Sequence, residues 1–335
     1  MFALPVSIFA IFLAAAPAPG DLKVIRDWTV GCDNGRACQA VALLPAGRMD
    51  GATLTLRRGA QAGAVPSIWV TVRSEGIPSP VALLIDGQRF PLRYDRGTDA
   101  LLVRDPAAAA RLLGQATRIE ALVEEGGRKA IPISARGSAA ALLHMDAEQR
   151  RVGTTGALVR RGSSTRVPPP PRLPVVTSPP PSSRAPRRIA GARVEQLLGR
   201  DTLRCDHAQA LKLDYARLDA RNTLLLASHP CGNGAYNLFS SAYVIDERGR
   251  ATPARLDALG GMGEGDGALV NAGWDANARR LSTFAKGRGL GDCGVAHSYA
   301  WDGQRFRLAE ASAMGECRGS TDYIPTWRAR VVERR

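Results

Sequence analysis

A proline-rich segment divides this chain near its middle. Residues 168–186 hold nine of the 22 prolines, in the order PPPPRLPVVTSPPPSSRAP. Proline lacks a backbone N–H donor, and the segment shows no hydrophobic period, so neither a helix nor a central strand is expected there. We therefore predict a disordered, extended Pro/Arg-rich linker over residues 162–190, with one folded domain on each side of it.

The same region holds most of the net positive charge. The chain has 45 Lys and Arg residues against 31 Asp and Glu, a formal net charge of +14. No acidic residue occurs between Glu148 and Glu195, whereas ten arginines do. These ten account for most of the net charge and leave a net charge of about +4 for the rest of the chain. These arginines are Arg150, Arg151, Arg160, Arg161, Arg166, Arg172, Arg184, Arg187, Arg188 and Arg193.

Such a basic segment favours an anionic component of the cell envelope, or a host surface, as the binding partner. The alternative is that the excess of arginine over lysine reflects only a coding bias. The attraction would be electrostatic and weakened by salt. Nucleic acid is not a predicted partner, because the segment lacks the interleaved aromatic side chains of single-strand binders and the chain carries an export signal.

That signal is an apolar run at the start of the chain. Residues 2–16 read FALPVSIFAIFLAAA, which is too short to span a bilayer and is typical of a secretory signal peptide. We predict that residues 1–20 are removed and that the mature protein is periplasmic or secreted, with no integral membrane span. An uncleaved anchor is the alternative.

Six cysteines follow the signal, and an even number in an oxidising compartment favours disulfide bonds. Cys32 and Cys38 flank an Asn-Gly turn, and the odd length of that loop places the two cysteines opposite each other on a hairpin. The remaining four allow three pairings. We favour the nearest-neighbour set, Cys205–Cys231 and Cys293–Cys317.

Short hydrophobic runs separated by turn residues predict a mainly β chain. Before the linker, they indicate an antiparallel sandwich or barrel-like domain over residues 21–161, with a helix at Ser138–Arg151 that Ser138 caps. The runs are Val24–Val30, Ala37–Leu44, Thr53–Leu56, Ile68–Val72, Val81–Ile85, Leu101–Arg104 and Ile119–Val123.

After the linker, residues 191–335 are predicted to form a second β-rich domain held by disulfides. A short helix is expected at Ala192–Leu198. Three segments then share a strand followed by an aspartate turn, at Asp246, Asp275 and Asp302. This pattern predicts consecutive hairpins of an antiparallel meander.

Several motifs, in order, resemble a bacterial exported family catalogued as domain-of-unknown-function family 1176. They are RDWTVGCD at 26–33 followed by Cys38, MDAEQRRVGT at 145–154, CGNGAYN at 231–237, KGRGLGDCG at 286–294 and GECR at 315–318. The N-terminal half also resembles the invasion-associated locus B proteins, which share a Trp…Cys-Asp opening and a small β-rich fold. The resemblance implies export to a Gram-negative periplasm and a role in the cell envelope or in host contact. It brings no catalytic residue, because the family's activity is unassigned.

A ligand site is predicted at polar side chains set among the glycines and cysteines of the second domain. Disulfides near these side chains would hold their loops rigid, which suits binding. The residues are Tyr236, Asn237, Arg288, Asp292 and Arg318. The competing interpretation is that Arg288 and Asp292 form only a surface ion pair, worth under about 1 kcal/mol.

No cofactor or metal is predicted. The sequences Cys205-Asp-His207 and His229-Pro-Cys231 could present two cysteines and two histidines to zinc, but an oxidising compartment favours the disulfide. The glycine strings at 261–267 and 287–294 lack the strand and helix that flank a phosphate-binding loop, and we interpret them as turns.

No catalytic residue is predicted either. His297 and Ser298 are neighbours on a predicted strand and point to opposite faces, and no G-x-S-x-G motif occurs. The sequence therefore favours an exported envelope protein with a non-catalytic binding or structural role. The alternative is a periplasmic hydrolase that acts on an envelope polymer.

Overall fold

The computed structural model describes residues 18–73, 79–125, 127–206, 208–257 and 268–334. Residues 1–17 of the predicted signal peptide, the glycine string at 261–267 and His207 lie outside the described residues. Among the described elements, strands dominate and pair antiparallel with one exception, so the prediction of a mainly β, antiparallel chain is confirmed. No helix within these ranges is long and apolar enough to cross a membrane.

The first half of the chain builds one ten-stranded sheet with the order β1-β2-β3-β4-β5-β8-β7-β6-β9-β10. Strand β10, at one edge of the sheet, also packs against β4. The sheet therefore curls around a core that includes Trp28, Leu54, Leu56 and Ile85. The strands are β1 (Leu22–Ile25), β2 (Trp28–Cys32), β3 (Cys38–Ala42), β4 (Gly51–Arg58), β5 (Ser67–Arg73), β6 (Ala82–Ile85), β7 (Gln88–Asp95), β8 (Ala100–Val103), β9 (Ile119–Val123) and β10 (Lys129–Ile133).

The two helices of this half differ from the prediction. Helix α1 (Pro106–Leu113) was not predicted, although Asp105 caps it by accepting a hydrogen bond from the Ala108 N–H at 3.0 Å. Helix α2 (Ser138–Glu148) ends three residues early, and its cap is Gly137 rather than Ser138. Gly137 has φ +102°, and a Cβ there would lie 2.1 Å from the Ile25 carbonyl oxygen. The helix therefore begins where only glycine fits against β1.

The second half contains two five-stranded sheets that enclose a shared core of Leu224, Leu226, Leu281, Tyr299 and Phe306. The first sheet comprises β12 (Leu213–Arg217), β13 (Thr223–Ser228), β14 (Phe239–Ile245), β15 (Ala251–Pro253) and β16 (Ala268–Val270), and is preceded by helices α3 (Gly191–Leu198) and α4 (Arg200–Leu203). The second sheet follows chain order and comprises β17 (Gly273–Asp275), β18 (Arg280–Lys286), β19 (Gly294–Trp301), β20 (Phe306–Met314) and β21 (Ile324–Arg328).

The three aspartate turns are confirmed, but they do not belong to one meander: Asp246 lies between β14 and β15 of the first sheet, and Asp275 and Asp302 lie in the second. The Asp246 carboxylate accepts hydrogen bonds from the backbone N–H groups of Arg248 and Arg250. Asp275 and Asp302 do the same for the N–H groups two and three residues downstream. Each turn is fixed by a side chain within the turn itself, which is why the sequence pattern predicted it.

The predicted linker is partly ordered. Strand β11 (Val175–Ser178) pairs in parallel with the C-terminal strand β22 (Arg330–Glu333). Val176 is buried against Ala300 and Ala309, and the Pro174 carbonyl accepts a hydrogen bond from the Arg330 N–H at 2.8 Å. The prediction of disorder is wrong for these residues. Val-Val-Thr-Ser lies between prolines and keeps its own N–H donors, so it can still pair with a neighbouring strand.

Three disulfides join the six cysteines as Cys32–Cys38, Cys205–Cys231 and Cys293–Cys317. Cys32 and Cys38 stand directly opposite each other on the β2–β3 hairpin, as predicted. The nearest-neighbour pairing of the other four is also confirmed. Arg151, counted from the sequence among the arginines of the basic region, is buried in the first half. There it donates to the backbone carbonyls of residues 60–62.

Candidate functional site

The two halves are joined by the side chain of Arg318, a residue predicted to bind a ligand. Its three donor nitrogens reach the Leu44 carbonyl at 2.7 Å, the Arg26 carbonyl at 3.3 Å and the Asp27 carboxylate at 2.7 Å. Burial alone would raise the pKa of Asp27, but hydrogen bonds from Arg318 and Ser134 outweigh it and hold that pKa below 3.8. Each of the three guanidinium nitrogens thus donates a hydrogen bond to the first half of the chain.

The segment around β21 makes the rest of this contact. The Asp322 carboxylate accepts hydrogen bonds from Thr55 Oγ1 at 2.6 Å and from Trp69 Nε1 at 2.9 Å. The Arg328 side chain pairs with Asp33. A small apolar cluster backs these polar contacts and contains Val41, Leu43, Cys293, Met314 and Ile324. The contact thus combines buried apolar surface with directed hydrogen bonds.

A cleft of about 520 Å³ opens beside this contact. We call it the junction cleft. Its lining comes from Arg57 of β4, from Asn271, and from residues of strands β18 to β21 with the adjoining Tyr323. In the register of the sheet, Ser282, Ser298, Glu310 and Arg328 are successive cross-strand partners. A second row next to it reads Phe284, Ala296, Ser312 and Pro325. Residues two apart on a strand share a face, so the two rows lie on one face of β18, β19 and β20. On β21 the rows are three residues apart, because a register shift interrupts its pairing with β20.

The junction cleft combines charged, hydroxyl and aromatic groups. Arg57 forms no ion pair with any described residue, whereas Arg328 is held by Asp33. Glu310 is exposed and interacts electrostatically with Arg280. Phe284 and Tyr323 meet edge to face with ring centroids 5.4 Å apart. Burial, with a smaller contribution from Asp292, raises the pKa of Tyr323 to about 12, so its hydroxyl stays a hydrogen-bond donor at neutral pH.

None of the five predicted ligand residues lines the junction cleft. Arg288 and Asp292 belong to the loop at 286–293, and Tyr236 and Asn237 lie beside it, whereas the Arg318 side chain is directed to the first half. Arg288 pairs with Asp292 at 2.7 Å and 2.5 Å, and the Gly319 N–H donates to the same carboxylate at 2.7 Å. Asp292 is fully buried, so the pair is more than the surface contact that the competing interpretation assumed. The hydrogen bond from Arg288 is the main reason that the pKa of Asp292 is lowered.

The other two of these residues contact the same loop from the β14 side. Asn237 donates to the Lys286 carbonyl at 2.9 Å and accepts from the Lys286 N–H at 3.0 Å. Tyr236 is 39% exposed and lies beside Gly289, where a Cβ would come within 3.4 Å of its ring. A ligand role for the five residues stays a prediction.

A hydrogen bond of 2.8 Å connects His229 Nε2 with Ser241 Oγ, a serine–histidine pair of the kind that catalysis can use. Burial lowers the pKa of His229, which favours the neutral imidazole that could accept a proton. No described residue orients the other ring nitrogen of His229. Cys231, two residues further on, is occupied by its disulfide to Cys205.

The junction cleft was not predicted from the sequence. Its floor is made by small and hydroxyl residues that alternate along β18 to β20, a signal present in the sequence as Ser282, Ala296, Ser298 and Ser312. Alternation shows that these residues share a face but not what covers that face. Arg57, from a strand more than two hundred residues away in the sequence, could not be assigned to it.

The chain belongs to the family described as "Protein of unknown function (DUF1176)", whose model matches residues 22–333. This confirms the first resemblance. The chain is also similar to the uncharacterized protein YpfG of Escherichia coli (strain K12), with 31% identity over 323 residues that cover 90% of each chain. No solved structure gives a significant match.

Proposed function

We propose that this chain is an exported cell-envelope protein with a non-catalytic binding role. Its three disulfides support a location outside the cytoplasm, because such bonds persist in oxidising compartments. The apolar residues 2–16 support export through a signal peptide. We also propose that the chain is divided into domains at 21–161 and 191–335. The first of these domains would be similar to the invasion-associated locus B proteins.

The junction cleft is the binding site we propose, and the observation that carries this is its lining. Two neighbouring rows of cross-strand residues offer hydroxyl groups beside aromatic rings, as binding sites with few well-placed polar groups do. The Arg57 side chain is exposed and forms no ion pair with the described residues, so it is available to an anionic group on the ligand. The ligand is therefore an anionic, hydrogen-bonding component of the envelope.

Co-sedimentation with purified peptidoglycan sacculi tests this proposal. The wild-type chain should be retained, and Arg57→Gln should reduce retention severalfold. Arg93→Gln is the matched control, since Arg93 is also an exposed strand arginine of the first sheet but lies outside the cleft. Equal retention of the two variants, or no retention of the wild type, would contradict the proposal.

A periplasmic hydrolase acting on an envelope polymer is the second candidate, and the His229–Ser241 hydrogen bond favours it. A nucleophile needs a base within hydrogen-bond reach, and this pair meets that condition. The test is release of soluble fragments from the same sacculi. Release that Ser241→Ala abolishes, with normal folding by circular dichroism, would establish the hydrolase. If the wild type releases no soluble fragments, the hydrolase candidate is contradicted.

A further inference from the structure

The end of the proline-rich segment brings arginines to one side of the β12–β16 sheet. Arg184, Arg187 and Arg188 come from this segment, and Arg217 comes from β12. Together with Ala185, Ala220 and Glu247 they line an open pocket of about 480 Å³. We call this the arginine pocket. It is separate from the junction cleft and shares no lining residue with it.

The arginine pocket is held in place by the fold. The Arg187 N–H donates to Thr223 Oγ1 at 3.0 Å, and Ile189 packs against the apolar cluster under helix α3. The Arg217 side chain donates to Thr223 Oγ1 at 3.0 Å and to the Ala220 carbonyl at 2.5 Å. The Arg188 guanidinium lies 5.3 Å from the centre of the Tyr215 ring. The segment therefore presents these charges at fixed positions rather than on a free tether.

The charges in the pocket are not balanced within the protein. None of the four arginines forms an ion pair with a described residue. Among the residues that line the pocket, Glu247 is the one with a carboxylate. The Nε atom of Arg217 is buried without a hydrogen-bond acceptor among the described residues. Four guanidinium groups around one open space repel one another, so a bound anion would relieve that repulsion.

We propose that the arginine pocket binds a phosphate-bearing ligand. A guanidinium group matches phosphate oxygens with two parallel N–H donors, and several guanidinium groups suit the nearly two negative charges of a phosphate monoester. The volume is that of a site for a small molecule or a headgroup rather than for a lone ion. The phosphate belongs to an envelope lipid headgroup or to a soluble phosphorylated compound.

Titration calorimetry with inorganic pyrophosphate at low salt tests the proposal on the full chain. The double variant Arg187→Gln/Arg188→Gln should weaken binding roughly tenfold or more, because two charge-assisted contacts are lost. Arg160→Gln/Arg161→Gln is the matched control, an adjacent exposed pair with the same change of charge, and should bind like the wild type. Equal dissociation constants for the two double variants, or no binding by the wild type, would overturn the proposal.

Vesicle flotation separates the two sources of phosphate. The probes are phosphatidylcholine vesicles with and without phosphatidic acid, whose headgroup is a phosphate monoester. Flotation that requires phosphatidic acid, and that pyrophosphate competes away, assigns the site to a lipid headgroup. Pyrophosphate binding without flotation assigns it to a soluble compound. Flotation of the Arg187→Gln/Arg188→Gln variant at the wild-type level would overturn the lipid assignment, since the charges responsible would then lie elsewhere.

Discussion

The Arg318 guanidinium donates a 2.7 Å hydrogen bond to the Asp27 carboxylate, a residue 291 positions earlier in the chain. Both side chains are mostly buried, with exposed fractions of 14% and 16%. The bond lies where the two halves meet, between the β1–β2 turn and the loop after the Cys293–Cys317 disulfide. Arg318, which the sequence context suggested for ligand binding, thus connects the two halves of the molecule through its side chain.

Arg318→Ala should therefore destabilise the whole chain. It removes the hydrogen bonds from Arg318 to the Asp27 carboxylate and the Leu44 carbonyl, at a cost of about 2–4 kcal/mol in the free energy of unfolding, and leaves Asp27 with its hydrogen bond from Ser134. Arg48→Ala is the control, because Arg48 forms an exposed pair with Asp50 that should contribute under about 0.5 kcal/mol. Chemical denaturation measures both. Equal losses for the two variants would show that the contact between the halves does not depend on Arg318.

Asp292 should make the protein sensitive to acid. Hydrogen bonds from Arg288 and Gly319 lower its folded-state pKa below 3.8. A carboxyl with a lowered pKa contributes stability that is present above the unfolded-state pKa and is lost as the pH falls through the folded-state value. The wild type should thus lose stability more steeply than Asp292→Asn below about pH 5. Denaturation curves from neutral to acidic pH decide this, and parallel curves for the two proteins would contradict it.

Asp146→Ala should be among the most damaging substitutions in the first half. The Asp146 carboxylate pairs with Arg58 at 2.6 Å and accepts the N–H groups of Leu158 and Val159. Both partners of the ion pair are fully buried. Removal of the carboxylate leaves the Arg58 charge uncompensated, which costs about 3–5 kcal/mol. Thermal unfolding should show a much lower midpoint than for Glu124→Ala, which breaks the half-exposed pair with Arg89. Similar midpoints would contradict the prediction.

The Cys205–Cys231 disulfide closes a loop with a sequence separation of 26 residues. Replacing both cysteines with alanine should cost about 3.5 kcal/mol by the loop-entropy relation, against about 2 kcal/mol for the six-residue separation of Cys32–Cys38. Urea denaturation of the two double variants tests the order. A larger loss from Cys32→Ala/Cys38→Ala would mean that native-state contacts of the hairpin, rather than chain entropy, set these values.

Amide hydrogen exchange tests the order found in the proline-rich segment. Val175–Ser178 should exchange slowly because it pairs with Arg330–Glu333, while the exposed residues 183–185 should exchange fast. Val331→Pro should remove the protection of Val175–Ser178, since Val331 is the partner of the buried Val176. Equal, fast exchange of both segments in the wild type would restore the prediction of a disordered linker.

The sequence predicted the features that short stretches of chain decide. The Cys32–Cys38 pair lies across a hairpin whose turn the intervening residues specify, and the Asp246, Asp275 and Asp302 turns are each closed by their own aspartate. Helix α1 was not predicted, although Asp105 and Pro106 are typical of a helix start, because the alanine run that follows has no polar and apolar alternation to mark a helix face. Hydrophobic alternation predicted the strands β3, β4, β5, β6, β8 and β9, whereas the single run Val24–Val30 is divided into β1 and β2 by the turn between them.

What the sequence by itself determined was the class of fold, the Cys32–Cys38 pair and the turns, because each depends on residues close together in the chain. For the other four cysteines the sequence allowed three pairings, and the fold decided among them. Only the tertiary structure decided where Arg318, Arg57 and the arginines at 184–188 are placed. The surroundings of each of these side chains come from another part of the chain. The sequence next to a long charged side chain does not indicate which distant residue it contacts. The packing of the two halves and the docking of the proline-rich segment supplied those partners.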